Sequence, residues 1–189
     1  MSRCPICRSE FKRMSMTQKV CRENPACAEQ YGREKARKLA EKAKRIEAKR
    51  DRLETSEKKD SLKTPKKWAD IAQKSVNKYV RLRDQAKGYP CISCNKPLRD
   101  DEITHASHYK ARGANSALRF HLWNIHRSCV KCNHFDGGNI HGYKPALIDR
   151  IGLEKVEFLI NHPRSRVYDI DYLKRMRDVF NKKAKRVKP

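Results

Sequence analysis

Residues 91–140 read CISCNKPLRDDEITHASHYKARGANSALRFHLWNIHRSCVKCNHFDGGNI. Four cysteines frame the stretch, Cys91 and Cys94 at its start and Cys129 and Cys132 near its end. Each C-x2-C pair presents two thiolates from one tight knuckle, and two knuckles complete a tetrahedron around zinc. Between the knuckles the pattern predicts a short strand, a turn at Gly113-Ala114-Asn115 and a second short strand, with a helix starting after the second knuckle. A site closed by four sulfurs has no open position, so its zinc would be structural. It would pin strands and helix into a frame stiff enough for a small active site.

Six of the seven histidines lie in or beside this frame: His105, His108, His121, His126, His134 and His141. With the zinc saturated by sulfur, they are free for other work. For any one of them alone, a phosphate contact or a packing role is the ordinary reading.

Outward to the N-terminus, Cys4, Cys7, Cys21 and Cys27 repeat the theme as C-x2-C-x13-C-x5-C. Residues 1–32 form a module too short to fold without metal, so a second structural zinc is expected there. Residues 33–63 are a run of Lys, Arg, Glu and Ala. Leu39, Ile46 and Leu53 recur every seven residues, with Ala36 and Ala43 between them. Fewer than three repeats fall short of a coiled coil. The ordinary reading is a solvated single helix, and the alternatives are a dimerising seam or a basic arm that tracks a DNA strand. Thr64-Pro65 starts another helix, with Trp68, Ile71, Ala72, Val76, Tyr79 and Val80 on one face, ending near Gly88-Tyr89-Pro90. Past the knuckles, Pro145 is expected to open a helix that Gly152 breaks, and Asp171 to cap a last helix carrying Leu173, Met176 and Phe180. The expected core is residues 64–181, followed by a basic tail over 182–189.

The balance of charge names the partner. The 189 residues hold 46 Lys and Arg against 22 Asp and Glu, a net charge of +24. Only 38% of residues are hydrophobic, below the usual ~45–50%, so long solvated stretches are expected. Phosphate polymers are the natural ligand of such a chain. No apolar run reaches the ~18 residues of a membrane span, and the N-terminus has no signal-peptide core. A soluble protein of the cytoplasm is expected.

In its order of CISC, HY, LRF, NIH, C-x2-CN and GN, the 91–140 stretch resembles the HNH, or ββα-metal, nuclease motif in its four-cysteine form. More closely, the chain resembles the lambdoid-phage NinG (Rap) recombination proteins over most of its length, and its motif layout is similar to that of phage endonuclease VII. The resemblance implies a small zinc-stabilised α+β fold, with a His-Me finger nuclease core, flanking helices and an N-terminal zinc module. It implies a structure-specific DNA endonuclease that hydrolyses phosphodiester bonds in branched recombination intermediates such as Holliday junctions and D-loops.

Carried over by position, His108 matches the general base, and a neutral imidazole suits that task near pH 7. Asn124 matches the middle asparagine, whose amide holds the loop and orients the histidine. Asn133 falls where the last histidine of the motif lies, an H-N-N variant, and that position binds the catalytic Mg2+ or Mn2+. Many members carry an aspartate or histidine beside the base, where this chain has Ser107. His105 and Asp136 are the candidates for a second ligand, with His126 and His134 behind them. Lys42, Lys44, Arg45, Lys49 and Arg50 of the basic helix, Lys110 and Arg112 in the motif, and Lys182, Lys183, Lys185 and Arg186 of the tail are the expected DNA contacts. Symmetric cutting of a junction needs two active sites, so a homodimer is expected, and other recombination proteins are candidate partners. The rival readings are a non-catalytic zinc-dependent DNA-binding protein and an RNA-binding protein.

Overall fold

A computed structural model describes residues 1–187. The end of the expected basic tail, residues 188 and 189, lies outside the described residues. The chain divides into two compact units, Met1–Leu62 and a second from Lys63 onward. No helix among the described residues is long and apolar enough to cross a membrane.

In the first unit, strand β1 (Ser2–Arg3) pairs antiparallel with β2 (Glu10–Phe11). Its core is Cys4, Phe11, Cys21 and Cys27, with Ile6 and Val20 packed against them. So few apolar groups cannot hold a fold by burial alone. Helix α1 (Pro25–Ser61) follows, with the Asn24 side chain accepting from the Ala26 N–H and Pro25 in the first turn. It therefore starts inside the stretch expected to be the cysteine module, and Cys27 sits on its first turn. Beyond Cys27 no residue of α1 is buried. Leu39, Ile46 and Leu53 are 59%, 61% and 56% exposed, as a solvated helix requires.

The second unit opens with α2 (Pro65–Ala86), where Thr64 caps the helix through the Lys67 N–H. Trp68, Ala69, Ala72, Val76 and Val80 form its buried face. They pack against Leu173 and Phe180 of α5 (Ile170–Arg186), and against Phe120 and Ile125. Ile125 begins β4 (Ile125–Cys129), which pairs antiparallel with β3 (Thr104–His108) in the register Thr104↔Cys129 to His108↔Ile125. A 3-10 turn (Leu122–Asn124) leads into β4, and a π-helical turn (Lys131–Phe135) leaves it. Helices α3 (Ile140–Ile151) and α4 (Leu153–Asn161) close a second core through Tyr143, Leu147, Val156 and Leu159, set against Ile92, Tyr109 and Leu118.

A buried carboxylate locks α2 to the sheet. Asp84, fully buried, accepts from Arg83 Nε at 2.7 Å and from the Arg127 N–H at 2.7 Å. Arg83 also donates to the Ile125 carbonyl at 2.9 Å. A buried charge without such partners would cost several kcal/mol, on the order of the whole stability of a domain.

Two expected helix starts are corrected. Pro145 does not open α3, because the helix already begins at Ile140. Asn139, in the left-handed region at φ 45°, caps it, and Pro145 lies inside. The lost N–H of Pro145 is outweighed by Tyr143 and Leu147 on either side of it, both fully buried. Asp171 is not the cap of α5. Asp169 accepts from the Tyr172 N–H at 2.7 Å, and Asp171 lies in the first turn, where its charge suits the helix dipole.

Helix α3 also packs closely on the first knuckle. A Cβ at Gly142 would collide with the backbone carbonyl of Ser93, whereas one at Gly32 in α1 meets nothing within 4 Å. Gly142→Ala should therefore destabilise the second unit by about 1–3 kcal/mol, and Gly32→Ala should stabilise α1 by up to about 1 kcal/mol. Urea unfolding checks both, and an unchanged midpoint for Gly142→Ala would contradict the packing.

Candidate active site

The cysteines converge as two matching clusters. In each set of four, the sulfurs lie within 4.8 Å of one another. Among these separations are 3.6 Å for Cys7 and Cys21, 3.7 Å for Cys91 and Cys129, and 3.9 Å for Cys94 and Cys129. Sulfurs at ~2.3 Å from a tetrahedral zinc stand about 3.8 Å apart, whereas a disulfide would bring them to about 2.05 Å. Both clusters can hold zinc.

The two leading knuckles share one backbone plan. Cys4 N–H donates to the Ser9 carbonyl and Arg8 N–H to that of Cys4, both at 2.9 Å. At the same offsets, Cys91 N–H donates to Lys96 at 2.9 Å and Asn95 N–H to Cys91 at 3.0 Å. The residue after each second cysteine is left-handed, Arg8 at φ 63° and Asn95 at φ 56°. Burial raises the Cys91 thiol, but hydrogen bonds from the backbone N–H groups of Cys129, Cys94 and Ser93 outweigh it, and the net shift is downward. That favours the thiolate, the form that binds metal.

Beside the second cluster lies a cleft of about 700 Å3 lined by His105, His108, Arg112, Arg119, Asn133 and, from α2, Asp70, Asn77 and Arg81. His108, at the end of β3, places Nε2 3.1 Å from the Arg119 carbonyl oxygen. A carbonyl only accepts, so this shorter contact is a hydrogen bond when Nε2 carries the proton, which leaves Nδ1 its lone pair; the Gln73 Nε2, 3.4 Å from the same nitrogen, then does not donate to it. Burial lowers the His108 pKa to about 4; the charges of Arg112 and Arg119 act in the same direction, and the hydrogen bond to Arg119 opposes them. His108 is thus a neutral base at pH 7.

Asn124 is fully buried and holds the backbone that follows His108. Its Oδ1 accepts from the Lys110 N–H at 2.7 Å, and its Nδ2 donates to the carbonyls of Lys110 at 3.0 Å and Leu118 at 3.1 Å. Asn133 and His105 meet across the cleft edge, Nδ2 to Nδ1 at 2.9 Å. With Nδ2 facing the imidazole, the Asn133 Oδ1 remains as a hard oxygen donor.

Asp136 is not brought to this place. It is exposed and does not line the cleft, and its N–H closes the π-helical turn on the Lys131 carbonyl. Among the described residues the two cysteine sets are the clusters of three or more His, Cys, Asp or Glu that could hold a metal, and His105 and Asp136 belong to neither. His126 is buried, with Nε2 on the Trp123 carbonyl at 3.1 Å and a pKa lowered by burial to about 3, a packing residue. His134 is exposed. Of the expected DNA contacts, Arg112 lines the cleft, while Lys42, Lys44, Arg45, Lys49 and Arg50 stand exposed along α1. Lys182, Lys183, Lys185 and Arg186 are exposed on α5 rather than on a separate tail, with Lys183 over the rings of Phe180 and Tyr79.

A family profile described as Bacteriophage Lambda NinG protein matches residues 1–189. The chain belongs to the NinG family. It is 38% identical over 126 residues to protein ninG of Escherichia phage lambda, covering 66% of this chain and 59% of that protein. It is 35% identical over 172 residues to protein ninG of Escherichia phage 933W, covering 87% and 83%, and 39% identical over 107 residues to that of Salmonella phage P22, covering 56% and 51%. The chain thus matches less than two thirds of the lambda and P22 proteins. No solved structure matches it.

For this NinG-family chain, sequence reasoning missed the wall of the cleft supplied by α2. Asp70, Asn77 and Arg81 are spaced seven and four apart, which puts them on one helix face beside the apolar stripe. Arg119 was missed too, and it knits the wall together, donating to Asp70 at 2.7 Å and to Gln73 Oε1 at 3.2 Å.

Metal analysis of protein purified without chelator should return two zinc ions per chain. Cys132→Ser should lower that to about one and loosen the second unit, while Cys21→Ser should lower it to about one and unfold the start of α1. Zinc content of one or less in the unmutated protein would remove a cluster from this account.

Proposed function

We propose that this protein is a metal-dependent endonuclease that hydrolyses phosphodiester bonds in branched DNA recombination intermediates. What carries the reading is His108, a neutral histidine with its Nδ1 lone pair free in a cleft lined by Arg81, Arg112 and Arg119. The residues at HNH spacing and the charge of +24 support it.

The arginines draw the phosphate backbone into the cleft and carry no base readout. His108 Nδ1 takes a proton from a water placed in line with the scissile phosphorus. The hydrogen bond from Nε2 to the Arg119 carbonyl holds the ring in the tautomer that can do so and steadies the imidazolium that results. Asn124 fixes the backbone on which the ring stands.

The residues present fit a catalytic divalent ion as a partial shell: Asn133 Oδ1 is a donor, and His105 joins it by giving up the hydrogen bond that its Nδ1 accepts from Asn133 Nδ2, with no unpaired carboxylate among the described cleft residues. Mg2+ or Mn2+ held there would polarise the phosphate and neutralise charge on the leaving oxygen. So few hard ligands predict weak metal binding until DNA phosphate completes the shell. The exposed cations of α1 add affinity on a second duplex arm, which lets DNA shape select the branch.

His108→Ala should reduce cutting of a branched substrate by about 10²–10⁴-fold, with zinc content and DNA affinity unchanged. His126→Asn serves as a control for packing alone. Because burial lowers the His108 pKa, the base stays unprotonated below pH 6.5, so its cutting rate should hold from pH 8 to pH 6. A fall centred on pH 6.5 would mean that an unperturbed histidine does the work. If His105→Ala is inactive while His108→Ala cuts normally, the base is misassigned by three residues.

Binding should also weaken steeply with salt, by about 0.9 log units per phosphate neutralised for each tenfold rise. Replacing Lys42, Lys44, Arg45, Lys49 and Arg50 by Gln should flatten that slope. An unchanged slope would remove α1 from the DNA.

A further inference from the structure

Phe135 is 75% exposed, the most exposed aromatic residue of the chain. Its one ring neighbour is His134, edge-on at 4.9 Å. In a chain so rich in charge, a phenylalanine left in water beside the candidate active site has no role in the core. Its place is fixed from both sides. Cys132, three residues before it, belongs to the second cysteine cluster. Three residues after it, the Gly138 carbonyl accepts from Ser93 Oγ at 2.9 Å, and the Gly138 N–H donates to Cys132 at 2.8 Å. Asn133, two residues before it, and Gly137 and Gly138, two and three residues after it, line the cleft, so Phe135 sits on a short turn whose two ends border the cleft.

A rigid ring beside a phosphate-binding cleft can do one thing that lysine and arginine cannot. It can stack on a nucleobase that has lost its own stacking neighbour. In an unbroken duplex a wedge must first unstack a base step, which is costly. At a branch the stack is already broken, so the same ring gains the contact without that cost. An exposed aromatic placed here therefore discriminates branched from linear DNA, whereas phosphate contacts alone bind both.

We propose that Phe135 is the branch-reading residue of this protein, stacking on the unstacked nucleobase where strands part while the neighbouring cleft holds the scissile phosphate. The inference rests on branched DNA as the substrate and adds the residue that selects it. Phe135 acts through binding and takes no part in proton transfer.

The test uses the full-length protein with calcium in place of magnesium, so that binding is read without turnover. The probes are a synthetic four-way junction with 2-aminopurine at the branch point, the same junction with 2-aminopurine within an arm, and a linear duplex. The unmutated protein should change the fluorescence at the branch and not in the arm. Phe135→Ala should abolish that change and weaken junction binding by roughly 10-fold or more, with duplex binding unchanged. Phe135→Trp should restore both, and Phe135→Leu, apolar but unable to stack, should not. Zinc content and melting should be the same for all variants, since the side chain packs against no core residue. Retention by Phe135→Ala of both the fluorescence change and the junction preference would overturn the proposal. So would an unmutated protein that binds junction and duplex alike with no response at the branch. A parallel magnesium assay separates the two readings. Branch stacking without cutting would leave Phe135 standing and remove the nuclease, and cutting with a branch preference independent of Phe135 would do the reverse.

Discussion

The convergence of Cys91, Cys94, Cys129 and Cys132 is the constraint on which the second unit hangs. The cluster joins the knuckle before β3 to the end of β4 and the turn that follows it. Two strands of five residues make a marginal sheet alone. With the ends tied through sulfur, and Asp84 tying α2 to the Arg127 backbone, the register holds, and with it the positions of His105, His108 and Asn133. The first unit carries the dependence further, since its buried core is three cysteines of its cluster and one phenylalanine.

Electrostatics divide the labour within this frame. The cleft is cationic, which suits phosphate and also works against a protonated histidine. Burial and two arginines keep His108 neutral, and the Arg119 carbonyl orients it. Asp70, the carboxylate lining the cleft, is paired with Arg119, so it tempers the arginine rather than competing for the ring. The same logic explains the absence of a converging carboxylate cluster among the described residues: on the proposed reading, the substrate brings the negative charge.

Much of this was legible because it is local. The C-x2-C pairs, the Thr64-Pro65 start and the apolar face from Trp68 to Val80 each depend on spacing alone, and each stands in the structure as spacing predicts. Helix starts were misread where tertiary packing overrode a local signal. Pro145 reads as a first-turn proline, yet Tyr143 and Leu147 hold the helix through it. Asp171 reads as the cap, yet the Tyr172 N–H bonds to Asp169 and the helix starts two residues earlier, at Ile170. The cleft wall from α2 and the isolation of Asp136 were illegible for another reason. Which polar face of a helix meets which loop is set by long-range packing, and a carboxylate three residues past Asn133 lies near its target only if the chain continues as a regular helix. Here it leaves through a π-helical turn and two left-handed glycines, Gly137 and Gly138.

The most direct test of the nuclease account is to incubate the purified protein with a synthetic four-way junction, a linear duplex of the same sequence and a single-stranded RNA, each with Mg2+ and with EDTA, and to map the ends. The account predicts that the junction alone is cut efficiently, only with Mg2+, leaving 5′-phosphate and 3′-hydroxyl ends. Binding to the junction without cutting in Mg2+ would contradict it and leave a zinc-dependent DNA-binding protein. Preferential binding to the RNA would place its function elsewhere.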